Sequence, residues 1–476
     1  MNQRSMLSKD FEVANTPRTP SQMSLFEDDS VPSVSRPIVR PIHYLGSKLR
    51  IVENICQIVD SIDATHGPIL DLFSGSGTVS LAMSRSRDVV AVDIQEYSRV
   101  ICSALLHPVD SKSISAKEFV RDVLSSECFV SLKQALEPMV ELEQNFIKMA
   151  KDGQPEPLCD LLECGSIIVF QQTGCSVNSA IAKAMSETIS RLTALRLDQG
   201  TKSMISRYFG GVYFSYSQAC QMDALLEFIW SRSIIFRDTL LAALLSTASE
   251  LVNTIGKQFA QPLRPRSRIG RPKPELFDLV ARDRLSSSTE LYQDWLSRYL
   301  SLPNTGRNHR AIREDYVEAL RDEGRDVAVI YADPPYTRDH YSRYYHVLET
   351  MCLRDNPSIS LVKLNGHESP SRGVYRLNRH QSPFCIHSKA PAAFASLFEG
   401  ARKLGVPLLV SYSPYSRDNR SRPRLMTIDQ IRTLAKTYFD NVETLSAGQI
   451  AHSKLTSSDK LVSANHEAEV LIVCQP

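Results

Sequence analysis

No apolar run in the 476-residue chain approaches the ~18 residues that span a bilayer. The first residues are polar and mixed in charge, without the apolar segment of a secretory signal. Both absences argue against a membrane-anchored or exported protein and for a cytoplasmic one. Ten cysteines are scattered without a C-x-x-C pair, which suits a reducing compartment. Cys159, Cys164 and Cys175 are too irregularly spaced for a zinc module, His380, Cys385 and His387 make a poor ligand set, and no metal is expected. A net charge of +2 neither suggests nor excludes a nucleic-acid partner, so local clustering must decide. No repeat period, nuclease motif or separate RNA-binding module is evident.

The chain is too long for one ordinary core, and 42% hydrophobic with 23% charged residues marks a water-soluble globular chain. Residues 1–38, rich in Ser, Pro, Thr, Asn and Asp, read as a flexible tail, with SQMSLFEDD (21–29) as a weaker docking candidate. From Pro41 the texture changes. KLRIVENICQIVD (48–60) has helical spacing. GPILDLFSGSGTVSLAMSRS (67–86) runs strand, glycine turn, helix; DVVAVDI (88–94) is a second strand and YSRVICSALL (97–106) a second helix. The alternation predicts a parallel, doubly wound sheet. A mainly helical stretch follows from about 110 to 305. The α/β texture then resumes in VAVIYADPPY (327–336), PLLVSYSP (407–414) and AEVLIVC (468–474). The expectation is an α/β fold, residues 39–110 and 306–476, with a helical domain inserted at 111–305.

In DLFSGSGTVS (71–80), Gly75 and Gly77 let the backbone turn through positive φ and lie close to a ligand. No G-K-[ST] follows, which excludes a P-loop, and the third glycine of a dinucleotide fingerprint is missing. Asp93, ending the next strand, can accept from a ribose or cap the following helix. HYLGSK (43–48) offers a second ligand loop; Lys48 at a helix start is electrostatically unfavourable, a cost an anionic group offsets. Beyond the 327–332 strand, Asp333-Pro334-Pro335-Tyr336 is a rigid turn. It can aim the Asp333 side chain and the Pro334 carbonyl at one point, with the Tyr336 ring beside them. Two converging acceptors suit an exocyclic amino group on a flat base and free its nitrogen lone pair for attack.

Tyr44-Leu45-Gly46-Ser47-Lys48, Asp71-Leu72-Phe73-Ser74-Gly75-Ser76-Gly77 and Asp333-Pro334-Pro335-Tyr336, in that order, resemble the motifs of the DNA adenine-N6 methyltransferases related to bacterial DNA adenine methylase. The resemblance covers roughly 41–106 and 308–352; it is weaker over 353–476 and very weak over 110–305. It departs at Ser47, where many relatives carry a second glycine. It implies a Rossmann-like, class I methyltransferase sheet with a helical target-recognition insert. It further implies S-adenosyl-L-methionine held by Tyr44, Lys48, Asp71, Phe73, Gly75, Gly77 and Asp93, with Asp315 in NHRAIREDYVEAL (308–320) as the acid preceding the last motif. The catalytic group would be Asp333, Pro334, Pro335 and Tyr336, acting on an adenine flipped from duplex DNA. Restriction-modification or phage defence is the implied setting, beside a restriction nuclease or other defence-system subunits. The alternatives are methylation of cytosine N4 or an RNA base, or a DNA-binding regulator with a degenerate methyltransferase core.

For DNA contact, QPLRPRSRIGRPKPE (261–275) reads as an extended, proline-stiffened basic strip presenting Arg264, Arg266, Arg268, Arg271 and Lys273 to phosphates. Lys257 and Gln258 adjoin it, and Arg338 and Arg343 follow the last motif in a polar aromatic run with His340, Tyr341 and Tyr344. RYFGGVYFSYSQA (207–219) is either a base-stacking surface or core. SPFC (382–385) and Ser411 to Tyr415 are expected at the ligand-facing edge of the sheet.

Overall fold

Short runs of branched apolar residues form the centre of the sheet: β1 (Ile69–Leu72), β2 (Val89–Asp93) and β4 (Val329–Ala332), the last following β3 (Arg310–Arg313) in the chain. These three strands are buried almost throughout, as parallel strands covered by helices on both faces must be. The computed structural model describes residues 40–174, 178–232, 234–338, 340–364, 367–413, 424–446 and 469–476. The candidate tail (1–38), Cys175, Pro414 and Tyr415 lie outside them.

A two-stranded antiparallel ribbon, β5 (Leu361–Leu364) and β6 (His367–Pro370), stands apart from the main sheet. β7 (Leu408–Tyr412), β8 (Asn441–Ser446) and β9 (Val470–Gln475) complete that sheet in the order β3-β2-β1-β4-β7-β9-β8. The first five strands run parallel, and β9 is antiparallel to both of its neighbours. The strand order reverses direction between β1 and β4, so the loops leaving their carboxyl ends part and open a crevice there. Register sets what meets in it. Leu72 pairs with Ala332, so Phe73 and Asp333 leave the sheet side by side, with Asp333 N–H 3.4 Å from the Leu72 carbonyl.

Three helices frame this edge: α1 (Val52–Ile62), α2 (Thr78–Met83) and α3 (Glu96–Leu106). Between α3 and β3 the chain inserts a series of helices, from Ala116–Leu124 to Ser288–Leu300. The longest, Glu127–Lys151, is capped by Ser126, whose hydroxyl accepts from Phe129 N–H. Helix Ile234–Leu251 is buried on nearly every face from Thr239 to Leu251, as that apolar stretch requires. A bidentate pair from Arg99 on α3 to Asp238 (2.8 and 2.9 Å) ties it to the sheet. The inserted helices share one apolar core with Val100 and Leu105 of α3 and with Val347 and Met351 of helix His346–Leu353. They are an insertion in chain order, but Val39–Pro476 forms a single compact unit. A second core on the sheet joins Leu70, Leu72, Ile330 and Val410 to Phe394 and Leu397 of helix Ala390–Leu404.

Two open readings are decided by packing. Tyr208, Phe209, Tyr213, Phe214 and Tyr216 are all buried, and Tyr213 donates to the Phe259 carbonyl at 2.7 Å, so 207–219 is core and not a stacking surface. The basic stretch is not one extended strip either. It folds back on itself: Arg266 bridges Pro272, Lys273 N–H donates to the Pro265 carbonyl, and Gly270 takes φ +81° at the turn. Its prolines stiffen two arms of a hairpin whose tip exposes Arg268, Ile269 and Arg271.

Candidate active site

The turn after β1 depends on left-handed backbone. Phe73 has φ +62°, costly for a residue with a Cβ (~1–3 kcal/mol), and is held there by ring contacts with Tyr316 and Phe384 at 5.4 and 5.3 Å. Gly75 has φ +55°, and a Cβ on it would lie 2.6 Å from the Tyr44 hydroxyl. The glycine therefore makes room for the tyrosine of the first loop. Asp93 fastens the turn from the neighbouring strand: its Oδ2 accepts from Gly75 N–H (3.0 Å) and its Oδ1 from Gln95 N–H (2.9 Å). Burial raises the Asp93 pKa above the ordinary carboxylate value, against those two hydrogen bonds. Asp71 is buried beneath the turn. Its Oδ2 accepts from Ser80, its Oδ1 has no partner, and burial pushes its pKa up to about 7.

Capping of α3 comes from elsewhere. Glu349, some 250 positions on, accepts from Glu96 N–H (3.1 Å) and Tyr97 N–H (3.0 Å), meeting the exposed donors and positive end of that helix. The first loop is likewise held from a distance. Tyr44 stacks on Tyr345 (5.1 Å, 12° between planes), Leu45 N–H donates to the Tyr345 hydroxyl (2.7 Å), and the Tyr341 hydroxyl donates to the Leu45 carbonyl (3.1 Å). Much of the aromatic run after Asp333 thus serves as a brace.

Lys48 Nζ lies 2.7 Å from Asp333 Oδ2 and 3.2 Å from Glu469 Oε1, and only 6% of its side chain is exposed. The Ser411 hydroxyl donates to the same Glu469 oxygen (2.9 Å). The anions that offset Lys48 before α1 are the chain's own. Asp333 Oδ1 is buried without a hydrogen-bond partner, which leaves one acceptor open. Burial, moderated by Lys48 and reinforced by Glu469, raises the Asp333 pKa to about 6. Tyr336 is 9% exposed, packed edge-on against Tyr412 at 5.5 Å with the Arg424 guanidinium 4.7 Å from its ring centre.

Of these groups Asp333 borders a cavity of about 780 Å³, counting its open mouth, whereas Lys48 and Tyr336 do not line it. Tyr44, Phe73, Asp93, Asp315, Asp333 and Pro335 line it, joined by Tyr97, Tyr316, Ser342, His380 and Ser382 to Phe384. Asp315 reaches the cavity while capping helix Tyr316–Asp322 through Val317 N–H (3.0 Å). A cleft with apolar walls and a few convergent polar groups suits a small organic ligand. None of the basic candidates is among its lining residues, and they divide into two sets. Lys257 pairs with Asp283 (3.0 Å), and Arg266 with Asp160 (2.7 Å) and Glu163, so both are neutralised within the protein. Lys273 donates to the Arg264 carbonyl (3.1 Å), whereas Arg264, Arg268, Arg271, Arg338 and Arg343 are exposed. Sequence reasoning missed Glu469, Glu349 and Arg424. The signal for Glu469, an acid opening an apolar strand, was visible; nothing local marks the other two.

A mostly parallel sheet with a glycine turn and an acid-diproline turn flanking its switch point is consistent with a methyltransferase fold. Residues 44–153 match the family model for D12 class N6 adenine-specific DNA methyltransferase. The chain is also 23% identical over 318 residues to "Modification methylase LlaI" of Lactococcus lactis subsp. lactis, covering 67% of this chain. Both matches are to adenine-specific DNA methyltransferases or modification methylases, and the family match lies over the segment that carries the Tyr44–Lys48 and Asp71–Gly77 motifs. The chain spans 39% of that relative's length. No solved structure matches it.

Proposed function

We propose that the protein is a site-specific DNA adenine-N6 methyltransferase that uses S-adenosyl-L-methionine. The observation that carries this is Asp333: one oxygen is fixed by Lys48, and the other is buried and unpartnered at the switch point of the sheet. The cavity fits the cofactor by its chemistry. Asp93 keeps lone pairs for a ribose diol, Phe73 and Tyr316 offer apolar faces, and the Gly75 turn allows close backbone approach. When bound, the cofactor supplies an electrophilic methyl group on a sulfonium.

The chain's own residues do the rest. Asp333 Oδ1 and the Pro334 carbonyl accept the two N6 hydrogens, turning the nitrogen lone pair towards the cavity. The alkylated amino group sheds a proton, and Asp333, with its pKa raised to about 6, is placed to take it. Lys48 keeps Asp333 ionised beforehand, and Glu469 with Ser411 holds Lys48 in place. Tyr336 is so enclosed that a base stacks on it only after a neighbour such as Arg424 gives way. Arg264, Arg268 and Arg271 on the exposed hairpin, together with Arg338, serve the phosphates of duplex DNA.

The similarity to a modification methylase favours a restriction-modification setting. Methylation-aware sequencing of DNA from cells expressing the chain tests the proposal. N6-methyladenine in one sequence context is expected, and unmodified adenine, or methyl groups on cytosine alone, would overturn it.

A further inference from the structure

Next to the cavity, two arginines rest on one tyrosine. The guanidinium carbon of Arg343 lies 5.0 Å from the centre of the Tyr375 ring, and that of Arg379 lies 5.3 Å from it, both within cation–π range. Arg343 also donates to the Tyr375 hydroxyl at 3.3 Å. The ring is fixed on three sides: its hydroxyl donates to the Ala260 carbonyl, its edge meets His346 at 5.1 Å, and its backbone N–H donates to Ser371 Oγ at 3.0 Å. Two cations are thus carried on a ring the protein holds in place, and Arg379 Nε donates besides to the Arg376 carbonyl at 2.8 Å.

Among the described residues, neither arginine forms an ion pair with a carboxylate. The surrounding arginines do: Arg376 makes a bidentate pair with Asp355 (2.6 and 2.7 Å), and Arg354 pairs with Glu227. Burial, followed by the positive charge of Arg343, pushes the Arg379 pKa below its ordinary value. Arg372 is pushed the same way by burial, with Arg264 of the basic hairpin among the contributors, and it donates to the Leu263 carbonyl at the hairpin's base. Arg343 is shifted the other way: against burial, the hydrogen bond to the Tyr375 hydroxyl raises its pKa, and Glu163 opposes the shift of Arg372. What the geometry leaves is two cations on one ring with no carboxylate paired to either among the described residues.

The platform also adjoins the cavity. Arg343 follows Ser342, and Arg379 precedes His380; both of those neighbours line the cavity, and the Ser342 hydroxyl donates to the His380 carbonyl at 2.5 Å. We propose that Arg343 and Arg379, held on the Tyr375 ring, clamp one phosphodiester of the duplex beside the nucleotide delivered to Asp333. The guanidinium forks match phosphate oxygens in geometry as well as charge. Arg379 and Tyr375 thereby become parts of the DNA interface beside Arg343. The inference rests on the adenine-methyltransferase reading.

The test uses the full chain, a duplex carrying the methylated site found by sequencing, and binding measured by fluorescence anisotropy across a salt series. Arg379→Gln and Arg343→Gln should each weaken binding about tenfold. Each should also lower the slope of log affinity against log salt by about 0.9, and the double variant by little more, because the two share one phosphate. S-adenosylmethionine binding by calorimetry and the melting temperature should stay at the wild-type values. A duplex with a neutral methylphosphonate beside the target adenine should weaken wild-type binding and leave the Arg379→Gln variant unaffected. Wild-type affinity and slope in both single variants would overturn the clamp while methylation by the wild-type chain keeps the enzymatic reading standing. A wild-type chain that neither binds the duplex nor methylates it overturns both. Were Arg379→Gln to fold poorly, Arg379→Lys decides: it keeps the charge but loses the planar fork, and full wild-type affinity with it would count against the clamp.

Discussion

Lys48 Nζ and Asp333 Oδ2 stand 2.7 Å apart, joining the first sequence motif to the last. Of the Asp333 carboxylate, one oxygen is thereby committed within the protein, and the other faces no partner. A carboxylate so fixed cannot rotate to choose between neighbours, and its open oxygen points one way. Asp333→Ala removes that acceptor and leaves Lys48 paired with Glu469 at 3.2 Å, so no unpaired buried lysine results. The expected outcome is loss of methyl transfer by at least about 10²-fold, with cofactor affinity largely retained. Calorimetry with S-adenosylmethionine and a radiolabelled transfer assay check it. An active Asp333→Ala protein would remove this residue from the chemistry.

The same pair predicts a pH response with a definite sign. Burial first, then Lys48 and Glu469 in opposite senses, leave the Asp333 pKa at about 6, above the ordinary 3.8. Its contribution to stability therefore falls as pH rises from the unfolded value towards about 6 and is constant above that. Activity runs the other way, because the acceptor must be ionised, so the rate should climb with pH through about 6. Glu469 raises that pKa and Lys48 lowers it. Glu469→Gln should move the acid limb of the kcat/KM profile to lower pH, and Lys48→Met should move it to higher pH. A purely structural role for either residue would change the height of the profile and leave the limb in place.

The local elements were readable because their causes are local. A strand of branched apolar residues, a glycine turn and a helix start sit within some twenty positions around Asp71–Ser80, and Asp333-Pro334-Pro335 ends a strand for steric reasons alone. What could not be read is what meets across the fold. Lys48 was legible as a cation needing an anion, but Asp333 and Glu469 supply it, 285 and 421 positions away. Glu349 caps α3 across about 250 positions, with no signal in either segment. The basic stretch misled by composition: its prolines argue for an extended strip, whereas Gly270 at φ +81° lets it fold back. The aromatic run 207–219 could not be assigned without knowing that the inserted helices would bury it.

The brace on the first loop gives a third prediction. Tyr345→Phe keeps the ring stacked on Tyr44 but deprives Leu45 N–H of its acceptor at 2.7 Å. A partly buried donor left unpaired costs about 1–3 kcal/mol, and the loop that presents Tyr44 and Lys48 should loosen. Weaker S-adenosylmethionine binding, with the duplex affinity close to wild type, is expected by calorimetry and anisotropy. The reverse pattern would make Tyr345 a DNA contact and not a brace.

The final prediction separates two arginines of one hairpin. Arg266 is anchored to Asp160 and Glu163 across to helix Glu156–Cys164, while Arg268 stands exposed at the tip. Arg268→Ala should leave the hairpin folded and reduce the salt slope of duplex binding by about one phosphate contact. Arg266→Ala leaves Asp160 and Glu163 facing each other without their shared cation, and the hairpin loses its hold on the helices. Its mark should be faster proteolytic cleavage within 261–275, with DNA affinity falling only as a consequence. Limited proteolysis followed by mass spectrometry, run beside salt-dependent anisotropy, distinguishes the two. Equal cleavage rates and equal slopes in both variants would show that the ion pairs of Arg266 do not shape the hairpin.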